Sequence, residues 1–314
     1  MSSSFLACPC ERKQDLIEVD QGHCCSGNDC AHSKPENKFG NQGTTPILIA
    51  FDLTDTVCAP EAYQTKSFYV PREAGRFMNL ARHIVYGVSK VTTSNCQSFL
   101  SMIKAGSARP RVLIIGSGAR GSGTEALYAD TTIERTGIDI YQTPFVDYIA
   151  DAHYLPFKDG SFDGIWIQAV LEHVVDPVKV VAEIHRLLTP NGVIYAETPF
   201  MQQVHEGAYD YTRYSVLAHR YLFKNFAMDK VGGNGGPGVV LAWSIKYLIW
   251  GVLRSRKVAA VLSLPFYFAG RFIDIFVSQK AMWDSGSGVF FLGRRSTTAI
   301  KMADLPKLYE GFMR

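Results

Sequence analysis

The chain has 314 residues, 47% of them hydrophobic and 19% charged, which excludes a disordered polymer and, for the chain as a whole, an ordinary multi-span membrane protein. Its formal charge of +3 is too small to single out nucleic acid, yet it is unevenly spread: residues 1–60 carry four basic and eight acidic side chains, and residues 230–314 carry twelve basic and four acidic ones. The basic end is also apolar, a combination that suits an anionic membrane surface or an anionic substrate at least as well as nucleic acid.

Six of the seven cysteines, Cys8, Cys10, Cys24, Cys25, Cys30 and Cys58, fall in the first 60 residues, and only Cys96 lies beyond. Met1 to Ala7 has neither the basic nor the long apolar stretch of a secretory leader, so a cytoplasmic chain with reduced thiols is expected, and clustered cysteines there read as metal ligands. Tight turns carrying Cys8 and Cys10, and Cys25 and Cys30, can supply four sulfurs to one zinc ion, with Cys24 and His32 as spares. The stretch resembles the small zinc-ribbon proteins that activate methyltransferases, in which a Cys-Pro-x-Cys turn precedes a second cysteine pair and an apolar strand like Pro46-Ile47-Leu48-Ile49. Here the first turn is one residue short, Cys8-Pro9-Cys10, and the second is widened, Cys25-SGND-Cys30. A ribbon that packs through Ile47, Ile49 and Phe51 and holds no metal is the alternative.

Residues 59–109 read as a helical lead-in, ended by Gly106-Ser107-Ala108-Arg109-Pro110. Arg111 to Ile115 then reads as a buried strand, Gly116-Ser117-Gly118-Ala119-Arg120-Gly121 as a glycine turn, and Thr124 to Ala129 as the start of a helix. A second strand, Glu134 to Asp139, ends in an acid placed to grip ribose hydroxyls. To this point a nicotinamide or flavin enzyme is a real rival, since Gly116, Gly118 and Gly121 satisfy the dinucleotide fingerprint literally.

Four later segments decide against that reading: Asp151-Ala152-His153-Tyr154-Leu155-Pro156-Phe157, Ser161 to Ile167, Gln168-Ala169-Val170-Leu171-Glu172-His173-Val174, and Glu183 to Ala196. In this order they resemble a class I S-adenosylmethionine-dependent methyltransferase of the type 11 group, over roughly residues 110–231 plus a last strand near 289–295. The resemblance implies an α/β fold, a Rossmann-like seven-stranded sheet with helices on both faces. It also implies S-adenosyl-L-methionine as cofactor. Gly116, Ser117, Gly118 and Gly121 would surround its methionine portion, Asp139 with Ile140 would meet the ribose, Asp151 and Ala152 would flank the adenine, and Gln168 would lie near the reactive methyl. Two positions depart from the pattern: Ile114 stands where an acid is usual and Arg120 where a third glycine is usual. Asp139 as a helix cap and Asp151 as a turn former are the bland alternatives, and His173 and His185 read more readily as structural.

The loop after the strand Val193 to Glu197 should overhang the reactive methyl, because ligands of open α/β sheets bind beyond the carboxyl ends of the strands. It offers His205 as a base, Asp210 or Glu206 to orient it, Tyr211, and Arg213 for an acceptor phosphate or carboxylate. The alternative is a loop in which Asp210 and Arg213 pair with each other and the tyrosines pack.

Lys224 to Val231 and Gly288 to Gly293 read as the last two strands, separated by an apolar helical insertion, residues 232–287. Its runs Val239 to Leu253, Val258 to Gly270 and Arg271 to Val277 are too short to span a bilayer. Two helices lying on a membrane, with Trp243, Tyr247 and Trp250 at the interface and Arg254, Arg256 and Lys257 near headgroups, fit the composition, as does a protein-buried lid or homodimer face. The expected units are therefore a zinc-ribbon-like domain (1–58), the lead-in (59–109) and the methyltransferase domain (110–314). The expected acceptor is a hydroxyl of a glycan or lipid-linked saccharide. A small natural product or quinone-like acceptor, a tRNA or protein substrate, and a catalytically silent scaffold are the rivals, nucleic acid being the least favoured partner.

Overall fold

The structure is a computed structural model that describes residues 5–10, 13–51 and 89–313; Cys58 and the first part of the helical lead-in lie outside the described residues. Two short hairpins come first, β1 (Leu16–Val19) with β2 (Gly22–Cys25) and β3 (Asn41–Gln42) with β4 (Thr45–Pro46). Helix α1 (Lys90–Lys104) follows, started by Ser89, whose side chain accepts the Thr92 N–H.

The centre is a seven-stranded sheet built from β5 (Arg111–Ile115), β6 (Glu134–Asp139), β7 (Tyr148–Ile149), β8 (Phe162–Gln168), β9 (Leu188–Pro199), β10 (Phe226–Asn234) and β11 (Gly288–Arg295), in the spatial order β10-β11-β9-β8-β5-β6-β7. Strands β5 to β9 run parallel and β11 enters antiparallel between β9 and β10. Helices α2 (Glu125–Ala129), α3 (Pro177–Leu187) and α4 (Val216–Leu222) connect them. The chain reverses its winding between β5 and β8, so the carboxyl ends of both strands border one crevice.

Side-chain alternation sorts the core into two layers. On one face Val112, Ile114, Trp166, Tyr195 and Leu292 pack with Cys96, Phe99 and Ile103 of α1. Ile114, where the resembled family carries an acid, is thus a core residue. On the other face Leu113, Ile115, Ile165, Ile167 and Ile194 meet Val180, Ile184 and Leu187 of α3.

The cysteine-bearing segment shares that second core. Phe5, Leu6, Leu16, Cys25, Phe39 and Leu48 join the same cluster, and residues 5–7 run antiparallel to 156–158 through Ala7 N–H to Pro156 O at 3.0 Å and Lys158 N–H to Phe5 O at 2.9 Å. Leu48 N–H donates to Ile149 O at 2.8 Å, which lays residues 47–49 along the sheet edge at β7. Ile47, Ile49 and Phe51 pack there, as the pattern around Pro46 suggests. Lys13 reaches Glu183 of α3 at 3.2 Å, pinning the first cysteine turn to the helix.

Between β10 and β11 stand α5 (Pro237–Leu253), α6 (Arg256–Leu262), α7 (Leu264–Asp274) and α8 (Gln279–Ser285). The expected pair of long helices is corrected to four. The run Val258 to Gly270 breaks at Ser263, because Pro265 in the first turn of α7 has no N–H to continue a helix. Helix α5, with 17 residues, reaches about 26 Å, short of a bilayer's hydrocarbon core of about 30 Å, and among the described residues no helix is long and apolar enough to cross a membrane.

Candidate active site

The crevice begins at the turn after β5. Gly116 takes φ +79°, in the left-handed region, and a Cβ there would lie 2.1 Å from Val170 Cγ2. A Cβ on Gly118 would lie 2.7 Å from Asp139 Oδ2. The N–H groups of Gly116 and Ser117 both donate to Ile138 O, which folds the turn over the end of β6. Asp139 is held there by Gly118 N–H and Ile140 N–H, each at 2.7 Å. A bare glycine backbone facing a carboxylate at adjacent strand ends is the chemistry a nucleoside ligand requires, so the residues present fit S-adenosylmethionine.

The neighbouring positions close around this turn. Gln168, at the end of β8, donates to Ser122 O at 3.2 Å and touches Gly121, where a Cβ would lie 2.1 Å from Gln168 Oε1. Ala150 N–H donates to Asp139 O at 3.0 Å, so Asp151 and Ala152 follow directly beside the acid. Asp151 is buried and braces its own turn: Oδ1 accepts His153 N–H at 2.9 Å and lies 2.6 Å from His153 Nδ1. Arg120 lays its guanidinium over the rings of Tyr128 and Phe145, at 5.1 and 4.9 Å.

On the acceptor side, β9 ends in a buried polar network. Glu197 Oε2 accepts from Tyr195 OH at 2.6 Å and Thr92 Oγ1 at 2.8 Å, and Asn234 Nδ2 donates to Thr92 Oγ1 at 3.0 Å. Burial pushes the Glu197 carboxyl up, and these hydrogen bonds oppose that.

The loop beyond β9 folds back over the turn that follows β8, with Tyr211 N–H and Thr212 N–H donating to Glu172 O at 2.8 and 3.3 Å. Asp210 and Arg213 form a two-pronged ion pair, and Arg213 spends its remaining donors on the carbonyls of Gln202, Gln203 and Thr212. Arg213 therefore shapes the loop and holds Asp210 well below the usual carboxylate range. Tyr209 and Tyr211 are exposed while Tyr214 packs beside Val216 and His219, so the loop is ordered by the ion pair and by one of its three tyrosines.

His205 lies with Nδ1 3.1 Å from Asp210 Oδ2 and Nε2 3.9 Å from Glu172 Oε1. Burial lowers its pKa, and the neighbouring His173 adds to this. Glu172 is fully buried, neither carboxylate oxygen has a hydrogen-bond partner, and burial pushes it up to about 8.

A second cluster lies in the cysteine-bearing segment. The sulfurs of Cys8, Cys10, Cys25 and Cys30 all lie within 4.8 Å of one another, with Cys8 to Cys30 at 3.8 Å. Sulfurs tetrahedrally placed about 2.3 Å from zinc would stand about 3.8 Å apart. The N–H groups of Cys10 and Gly27 point at the sulfurs of Cys8 and Cys25, each at 3.5 Å. The spares stay out: Cys24 sits opposite Ile17 in the hairpin, and His32 stacks on Phe39 with Nδ1 on Asn37 O.

The profile of a family described as a methyltransferase domain matches residues 113–196. The chain carries an S-adenosylmethionine-dependent methyltransferase domain.

A 37.1 kDa protein in transposon TN4556 of Streptomyces fradiae is 29% identical to this chain over 206 residues, 60% of this chain and 58% of that protein. The ubiquinone biosynthesis O-methyltransferase of Pseudomonas aeruginosa is 34% identical over 110 residues, 30% of this chain and 47% of that enzyme. The chain thus spans about half the length of these curated relatives. A solved S-adenosylmethionine-dependent methyltransferase from Archaeoglobus fulgidus superposes with a TM-score of 0.43 and 16% identity, over 70% of this chain and 100% of that one.

Within the methyltransferase domain, the structure gathers the glycine turn, Asp139, Ile140, Asp151, Ala152 and Gln168 around one crevice, and His205, Asp210 and Arg213 in one loop. Two residues were missed from the sequence. Glu172 figures in the sequence only as part of the segment from Gln168 to Val174 and Glu197 only as the end of a strand, neither with a role. The one signal for each was an acid at the carboxyl end of a parallel strand.

Proposed function

We propose that this chain is an S-adenosylmethionine-dependent O-methyltransferase acting on a hydroxyl of a glycan or lipid-linked saccharide. The observation that carries the acceptor class is the attachment of the acceptor loop to the apolar insertion. Tyr247 OH on α5 donates to Val204 O at 2.6 Å, and Gln203 Nε2 donates to Ser244 Oγ at 3.0 Å. Helix α5 exposes Leu248 and Val252, and α7, which crosses it, exposes Phe272 with Phe276 just past its end, each more than 60% exposed, a surface that suits a lipid tail or peripheral contact with a membrane. Identity to a ubiquinone biosynthesis O-methyltransferase supports a second reading, a quinone-like acceptor, whose isoprenoid tail would use the same surface.

In this reading the backbone of Gly116, Ser117, Gly118 and Gly121 receives the methionine portion of the cofactor. Asp139 and Ile140 receive the ribose, and Asp151 and Ala152 the adenine. Gln168 borders the methyl. When bound, S-adenosylmethionine supplies a methyl group on a positively charged sulfur. The acceptor oxygen must be aligned with that carbon and its proton must leave. His205 is the group placed to promote that loss, and Asp210, gripped by Arg213, anchors it by accepting its backbone N–H at 2.8 Å. The four thiols Cys8, Cys10, Cys25 and Cys30 suit a structural zinc ion, which would stabilise thiolates that burial otherwise disfavours, Cys30 being pushed up to about 11.

Calorimetric titration with S-adenosylhomocysteine tests the reading. Micromolar binding is expected for the wild type, at least about tenfold weaker binding for Asp139→Ala, and none of NADH. Absence of S-adenosylhomocysteine binding would sink it. Label transfer from methyl-labelled S-adenosylmethionine to lipid-linked saccharides, free sugars and isoprenoid quinols then decides the acceptor.

A further inference from the structure

Three side chains converge where the turn after β8 meets the loop after β9. Glu172 is fully buried and neither carboxylate oxygen has a hydrogen-bond partner. Its Oε1 lies 3.6 Å from His173 Nε2 and 3.9 Å from His205 Nε2, and one donor atom from each of the three residues lies within 4.8 Å of the others. These separations are too long for the imidazoles to hydrogen-bond the acid.

The outer nitrogen of each imidazole has its own neighbour. His173 Nδ1 is 2.6 Å from Tyr209 O, and because a carbonyl only accepts, Nδ1 carries the proton and Nε2 presents a lone pair toward Glu172. His205 Nδ1 is 3.1 Å from Asp210 Oδ2, on the carboxylate that Arg213 grips. An imidazole held from behind by a carbonyl, as His173 is, is how proteins present histidine to metal ions, while His205 is anchored through its backbone N–H, which donates to Asp210 Oδ2 at 2.8 Å.

We infer that Glu172, His173 and His205 form a binding site for a divalent first-row cation whose open positions take two neighbouring oxygens of the acceptor. The cation site stands on its own geometry; what fills the open positions rests on the methyltransferase reading. Two imidazoles and one carboxylate are the donor set of open mononuclear sites, and three protein ligands leave room for a chelating pair. Metal–ligand bonds of about 2.0–2.2 Å put neighbouring donors about 3.0–3.5 Å apart, so the two separations to Glu172 close by about half an ångström on binding. The acceptors favoured are those with adjacent hydroxyls, as in a sugar diol or an ortho-oxygenated quinol. Asp210 and Arg213 then act as positioning residues for His205, whose Nε2, once on the cation, no longer takes the acceptor's proton; the cation promotes that loss instead by lowering the pKa of the hydroxyl it binds.

The two clusters of metal-binding residues are separated by choice of ion, since manganese favours nitrogen and oxygen donors and leaves a four-thiol site to zinc. Loss of the free Mn2+ electron paramagnetic resonance signal on adding the full chain should report one ion bound per chain. Binding should weaken at least about tenfold in Glu172→Gln and in His205→Asn, each checked for folding by circular dichroism. Should either variant misfold, paramagnetic broadening of the His173 and His205 imidazole resonances by Mn2+ in the wild type serves instead. No binding by the wild type at millimolar Mn2+, unbroadened imidazoles, or unchanged affinity in folded Glu172→Gln overturns the site. Titrating S-adenosylhomocysteine into the same samples separates the two ideas: its binding without Mn2+ binding removes the cation site alone, and the reverse removes the methyltransferase reading alone.

Discussion

His219 is fully buried on α4 between the rings of Tyr214 and Phe223, and neither of its ring nitrogens has a hydrogen-bond partner. Burial pushes its pKa down to about 3. Above about pH 6.5 both the folded and the unfolded chain hold it neutral, so it makes stability no more pH-dependent. As pH falls below that value the unfolded chain takes up a proton that the folded chain refuses, and stability drops until about pH 3. Urea unfolding between pH 4 and 8 should show His219→Phe as stable as the wild type or more so at pH 8, with a shallower acid loss, because phenylalanine leaves no unpaired polar atom. An equally steep acid limb in the variant would place the loss elsewhere. Single residues differ in how readable they are. Gly116 and Asp139 stand out in the sequence because the backbone of a tight turn and the end of a strand dictate their types. Glu172 does not, because its surroundings include a loop that joins it from almost forty residues further along, where Tyr211 N–H and Thr212 N–H donate to its carbonyl.

Among the elements, α5 and α7 cross where Gly238 meets Gly270, and a Cβ on Gly238 would lie 2.3 Å from Gly270 O. The same crossing lets Asp274, at the end of α7, accept the N–H groups of Gly238 at 2.7 Å and Val239 at 3.0 Å, so one helix caps the start of the other. Gly238→Val should cost about 1–3 kcal/mol by overpacking, and Asp274→Ala about 1 kcal/mol by loss of the cap, both read as a lowered unfolding midpoint. A Gly238→Val midpoint equal to the wild type would mean that the helices do not cross there in solution. Strands were the easier elements to read: Arg111 to Ile115 and Glu134 to Asp139 are bounded by turn residues and pair as expected. Strand β9 starts at Leu188, earlier than the turn-like Pro190-Asn191-Gly192 suggests, because Leu188 already pairs with Phe162. The insertion was legible as helical but not in its number of helices, since hydrophobicity alone does not mark where Ser263 ends one and begins the next.

At the scale of the whole molecule, the cysteine-bearing segment and the sheet share one apolar core, although the sequence suggests a separate unit ending near residue 58. Phe5 and Leu6 are nearly inaccessible against Phe157 and Phe162, and burying such side chains is worth about 1.5–3 kcal/mol each. A metal held by the four thiols would therefore stabilise the sheet as well as the hairpin. Removing zinc with a strong chelator should lower the melting temperature of the full chain by more than about 5 °C, in one transition and not two. Metal-free protein with an unchanged melting curve would remove zinc from the account. The bridge between Leu6 and Phe157 also orders events during synthesis. The four cysteines leave the ribosome within 22 residues of one another and can close on an ion at once. The aromatic pocket behind them is completed roughly 7–26 s later, after some 130 further residues at about 5–20 residues per second. During that interval the cysteine-bearing segment would depend on its metal chemistry alone, and the supply of the ion would govern how often the finished chain starts from the right arrangement.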